Sequence, residues 1–103
     1  MIPIVQKKAG ELAAICKKRG VRRMVLFGSA AQGAFDPATS DLDFLVEFQP
    51  ASPAQHADNY FGLQEDLESL FGLPVELVEP APIRNPYFRQ AIEETQVLVY
   101  AAA

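Results

Sequence analysis

The sequence predicts an α/β domain in the α+β sense: a small mixed β-sheet flanked by helices, with residues 1–103 forming one domain. Three observations lead there. A chain of 103 residues is near the common domain size and long enough to enclose one core. Half of its residues are apolar and about a fifth are charged, the balance of an ordinary globular chain. Its apolar residues switch between helical and strand periods along the sequence, with no internal repeat and no linker.

The elements follow in order. Over residues 3–19, Val5, Ala9, Leu12, Ala13, Ile15 and Cys16 recur mostly at three- and four-residue steps, with Pro3 in the first turn and Gly20 past the last. This is an amphipathic helix. Met24, Val25, Leu26 and Phe27 form a continuous apolar run closed by Gly28, as in a strand buried on both faces. A brief helix from Ser29 to Gln32 would be stopped by Gly33, and Asp36, Pro37, Thr39 and Ser40 supply loop chemistry. Leu42, Phe44, Val46 and Phe48 alternate with other residues at the period of a half-buried strand. After a breaker at residues 50–53, Tyr60, Leu63, Leu67, Leu70 and Phe71 return at helical spacing until Gly72. Residues 75–78 read as a third strand, about 86–94 as a short helix and 97–100 as a final strand.

Charge is unevenly distributed. The net value is −4, yet residues 1–23 hold Lys7, Lys8, Lys17, Lys18, Arg19, Arg22 and Arg23 against one acid, Glu11. That segment is +6 and the remainder −10, so direct nucleic-acid binding is not expected. No apolar run approaches the ~20 residues that span a bilayer, and no basic-then-apolar leader opens the chain. The expected setting is cytoplasmic, with no membrane contact. Cys16, the only cysteine, suits a small buried thiol, and one Cys with one His cannot build a zinc site.

The chemistry concentrates between Leu26 and Asp43. Asp41 and Asp43 sit two apart at a strand start, which places both side chains on one face with Cα atoms about 6.5 Å apart. Such a pair repels unless water or a cation intervenes, and carboxylates with open positions suit Mg²⁺, which keeps waters and takes phosphate oxygens. Gly28 lets the backbone approach a ligand, and a helix opening at Ser29 would aim N–H groups and a hydroxyl at an anion. A phosphate cradle joined by one loop to a two-carboxylate metal site describes a nucleoside triphosphate site. Glu76 would add a third carboxylate if its strand neighbours Asp41 and Asp43, able to hold metal or to accept a proton; on an edge strand it could equally face solvent.

Phe27, Gly28, Ser29, a loop containing Gly33, then Ser40, Asp41, Leu42, Asp43, Phe44, Leu45 and Val46 together resemble the signature of the DNA polymerase β nucleotidyltransferase superfamily. The small size resembles its minimal nucleotidyltransferases, the MNT type, and the likeness runs over nearly the whole chain. That resemblance implies a polymerase-β-like nucleotidyltransferase fold, with Gly28 and Ser29 on the triphosphate and Asp41, Asp43 and Glu76 as the catalytic, Mg²⁺-binding acids. The chain departs from the family pattern in an eleven-residue loop before Asp41, in Ala30, Ala31 and Gln32 where many relatives have arginines, and in Glu76 where Asp is usual. The resemblance further implies an antitoxin that moves AMP from ATP, or the corresponding part of another nucleoside triphosphate, onto a tyrosine of a helical HEPN-type toxin. The alternative is a noncatalytic module that neutralises such a partner by covering it. Tyr60, Phe61, Tyr87, Phe88 and Tyr100 are the aromatic candidates for partner contact, although each also suits the core. His56 is given no role.

Overall fold

Alternating strand faces and helix stripes require two layers to bury them, and the computed structural model has that form. It describes residues 3–28, 31, 41–80 and 86–102, apart from the side chains of Phe88 and Ala91. The elements are α1 (Pro3–Lys7), α2 (Ala9–Lys18), β1 (Val21–Phe27), β2 (Leu42–Phe48), α3 (Pro53–Phe71), β3 (Val75–Val78), α4 (Pro86–Thr95) and β4 (Val97–Ala101). The sheet order is β3-β2-β1-β4, with β1 antiparallel to both β2 and β4, and β2 parallel to β3. Parallel pairing needs a crossover, and α3 supplies it.

Strand alternation divides the sheet into two faces. Met24, Leu26, Leu42, Phe44, Val46, Val75 and Leu77 point to one face and are buried against Val5 of α1, Leu12 and Cys16 of α2, and Leu63, Leu67 and Phe71 of α3. The other face carries Val25, Phe27, Asp43, Leu45, Glu47 and Glu76, because their register partners match row by row. The Cys16 thiol is fully enclosed, and burial pushes its pKa up to about 12. It is a core atom rather than a nucleophile.

Four boundaries differ from the sequence reading. The first helix is divided at Lys8 (φ −105°, ψ 20°), whose Nζ donates to the Leu70 carbonyl at 2.7 Å. That carbonyl is one of the unpaired ones in the last turn of α3, where a cation is favoured. The apolar stripe continues across the joint, so periodicity alone does not reveal the break. β1 begins three residues before its apolar run, because Arg22 and Arg23 reach Glu47 of β2 at 3.1 and 3.5 Å across the ladder. α3 begins at Pro53, well before its apolar stripe. Residues 50–53 are its start signal, with Ser52 Oγ accepting from Gln55 N at 3.2 Å and Pro53 in the first turn. Of the short helix expected over residues 29–32, only Ala31 is described, in helical geometry and against the core.

Much of the basic N-terminal segment is held by internal partners. Arg19 Nε donates to Asp66 Oδ2 at 2.8 Å, with Lys18 3.7 Å from the same oxygen. The Arg19 guanidinium lies against Gly62, one turn earlier on α3, where a side chain would collide with it. Hydrogen bonding from Arg19 holds the Asp66 carboxyl below the usual carboxylate range. A carboxyl with a lowered folded-state pKa stabilises the fold above its unfolded pKa of about 3.9 and loses that contribution as pH falls through the folded value. Asp66→Asn should therefore cost up to about 1 kcal/mol at pH 7, the range of a partly exposed pair. Urea unfolding should show that difference shrinking below pH 4, and a constant difference down to pH 2 would assign it to packing instead.

Candidate active site

Three strand ends meet in one row. Phe27 pairs with Asp43 across β1 and β2, and Asp43 pairs with Glu76 across β2 and β3. Gly28, Asp43 and Glu76 therefore lie side by side on adjacent strands, at spacings near 4.8 Å per strand. Asp41 directly precedes β2 and is exposed, Asp43 is half-buried, and Glu76 is exposed. β3 is both an edge strand and the neighbour of β2, so the condition on which Glu76 joins the aspartates is met.

The electrostatics record this convergence. Burial first, then the charge of Glu76, a hydrogen bond with it and the charge of Asp41 push the Asp43 carboxyl up to about 6. Gly28 makes the closest backbone approach: its φ is +76°, and a Cβ there would lie 2.6 Å from Asp43 Oδ2. Only glycine combines that left-handed conformation with that contact. Ser29, the other half of the expected phosphate cradle, lies outside the described residues.

Among the described residues, no three His, Cys, Asp or Glu side chains close into a ready cage for a metal ion. Mg²⁺ needs none, since one or two carboxylates with waters and substrate phosphates complete its shell. The all-oxygen donors and the negative charge crowded around Asp43 fit such a hard cation.

α3 sets the position of Glu76. Tyr60 Oη donates to the Leu77 carbonyl at 2.9 Å, Gln64 Nε2 donates to the Val75 carbonyl at 3.0 Å, and Glu68 Oε2 accepts from Val75 N at 3.0 Å. These three side chains, four residues apart on one helix stripe, hold the backbone on both sides of Glu76 on an otherwise open edge. Sequence reasoning missed Gln64 and Glu68. Their i, i+4 spacing beside an apolar stripe was visible, but its strand partner was not.

The nucleotidyltransferase domain family matches the chain over residues 10–99. The chain belongs to this family. A protein of Methanocaldococcus jannaschii named putative protein adenylyltransferase is 38% identical to it over 82 residues, 80% of each chain. Among solved structures, one described as a putative minimal nucleotidyltransferase superposes with a TM-score of 0.69 and 28% identity over 89% of each chain. An MNT antitoxin complex with the tri-AMPylated HEPN toxin of Shewanella oneidensis gives 0.63 over 95% of this chain and 73% of that one; at 15% identity the likeness is one of fold. The nucleotidyltransferase fold, a mixed four-stranded sheet flanked by helices, is thus the one read from the sequence.

The remaining candidates divide clearly. Tyr60 and Tyr100 pack against the core of this nucleotidyltransferase domain, whereas Phe61 and Tyr87 are 62% and 81% exposed. The Phe88 side chain lies outside the described residues. His56, left without a role, has its Nε2 2.9 Å from Glu79 Oε1 and stacks edge-on against Phe48. No helix among the described residues is long and apolar enough to cross a membrane.

Proposed function

We propose that the chain is a Mg²⁺-dependent nucleotidyltransferase that moves AMP from ATP onto a tyrosine hydroxyl of a HEPN-type toxin, acting as its antitoxin. The observation that carries this reading is the single row formed by Gly28, Asp43 and Glu76. In-line transfer places the leaving pyrophosphate, the reacting phosphorus and the attacking oxygen on one axis. Gly28, with Ser29, would bind the leaving phosphates at the β1 end. Asp41 and Asp43 would hold Mg²⁺ at the centre, with Glu76 as a third acid. When bound, the ion supplies positive charge against the charge that develops on the phosphoryl oxygens. Glu76 lies on the open edge, where a protein hydroxyl can arrive, and would accept its proton. The Methanocaldococcus relative's name and the AMPylated toxin complex support a protein acceptor of the HEPN class.

The test is intact-mass spectrometry of the HEPN-type partner after incubation with this protein, ATP and Mg²⁺. Each transfer should add about 329 Da and release one pyrophosphate, as adenylylation requires. Inhibition of the partner's nuclease activity with no change in mass would replace this reading with the noncatalytic module.

The glycines supply a separate check. Gly28→Ala forces a side chain into the left-handed region, costing about 1–2 kcal/mol, and displaces the Asp43 carboxylate. ATP affinity in Mg²⁺ should drop tenfold or more. Gly72→Ala has the same backbone strain (φ +66°) with no atom within 4 Å of the added Cβ, so it should match the stability loss and leave ATP affinity unchanged. Equal ATP affinity in the two variants would remove Gly28 from the site.

A further inference from the structure

The row of strand ends fixes an axis for transfer and thereby a direction for the nucleoside, if the reading of Asp41, Asp43 and Glu76 above holds. The axis runs across the strands, from Gly28 through Asp43 to Glu76. The ribose oxygen is one of the substituents perpendicular to it, so the nucleoside extends either along the strands or away from the sheet. Along β2, on the face of Asp43, the next side chain is Leu45, about 6.6 Å further on. A ribose bridges that interval.

Leu45 forms part of the lining of a cavity of about 270 Å³ between this face and α4. Ile92 of α4 and Pro80 add apolar surface, while Glu47, Gln96 and Glu93 bring polar groups. The volume is just below the roughly 300–1,000 Å³ of sites for drug-sized ligands, which suits a base with part of its sugar rather than a whole nucleotide. The composition is that of a slot for a flat heterocycle: apolar surface for its faces, and in Gln96 an amide that both donates and accepts for its edge. No comparable wall borders the row on its other side, because β3 is the edge strand. That opening is left for the acceptor.

We infer that the cavity between α4 and Leu45 is the nucleoside subsite, holding the base of the nucleotide while the acceptor protein enters over the β3 edge. Mg²⁺-ATP and Mg²⁺-tripolyphosphate share the phosphate end and differ in the nucleoside, so calorimetric titration with both separates the two parts. Wild-type protein should bind ATP at least tenfold more tightly than tripolyphosphate. Leu45→Phe fills the cavity from the sheet, and Glu93→Trp fills it from an exposed position on α4 where the core is untouched. Each should bring ATP affinity down to the tripolyphosphate value without changing the latter, and if Leu45→Phe fails to fold, Glu93→Trp decides. Equal binding of the two ligands by the wild type, or full ATP preference in a folded variant, overturns the subsite. A variant that keeps its ATP preference but raises the KM for the acceptor protein assigns the cavity to the acceptor instead. Failure of the wild type to bind either ligand rejects the carboxylate site itself, and the subsite with it.

Discussion

Asp43→Asn is expected to reduce AMP transfer by about 10³-fold or more, since it withdraws one of the two central metal-binding carboxylates and several kcal/mol of charge stabilisation at ~1.4 kcal/mol per tenfold. The side chain keeps its shape. It loses the charge that Glu76 and Asp41 crowd, so the thermal midpoint without ligand should stay level or rise. A fall in activity with gain or constancy in stability is the signature of a carboxylate placed for chemistry. Glu76→Gln should behave differently, costing roughly 10²–10⁴ if its role is that of a base. Rates can be read from pyrophosphate release and midpoints from circular dichroism. Asp43→Asn activity within tenfold of wild type, or a clear loss of stability, would make Asp43 a structural residue.

The second large effect is on the fold. Phe44 is fully buried between its register partners Leu26 and Leu77, and its ring stacks against Phe71 with centroids 6.3 Å apart. Phe44→Ala should cost about 3–5 kcal/mol through lost burial and the cavity left behind. Set against the 5–15 kcal/mol that stabilises a typical domain, this is a large fraction, equivalent to a midpoint lowered by about 15 °C or more. Asp43 is the adjacent residue on β2, so the variant should also lose nucleotide binding as its strand end loosens. Phe61→Ala, at an exposed position on α3, should shift the midpoint little. A Phe44→Ala loss below about 1 kcal/mol in urea unfolding would mean that the ring is not the centre of this core.

Local chemistry made most of the architecture legible. The alternation from Leu42 to Phe48 assigned β2 and its buried face, Gly72 marked the end of α3, and the run at residues 75–78 coincides with β3. Where the reading erred, the signal was missing locally. Lys8 interrupts a helix without interrupting its apolar stripe, and the first turns of α3 are exposed and carry no stripe. Arg22 and Arg23 look unlike strand residues until Glu47 is placed opposite them.

The site shows the same division. The sequence by itself determined the glycine that closes β1, the two aspartates at the start of β2, and the family signature that joins them, because these lie within one strand–loop–strand unit. The tertiary structure alone decided that Glu76, 33 residues beyond Asp43, stands beside it, and that Tyr60, Gln64 and Glu68 hold it there. It also decided that the face bearing Asp43 continues into a cavity under α4. The reason is physical: a parallel register is not imposed by a turn but by how the crossover helix packs, and a carboxylate's environment is set by groups far along the chain. Residue type supplied the charges; packing determined which of them share a site.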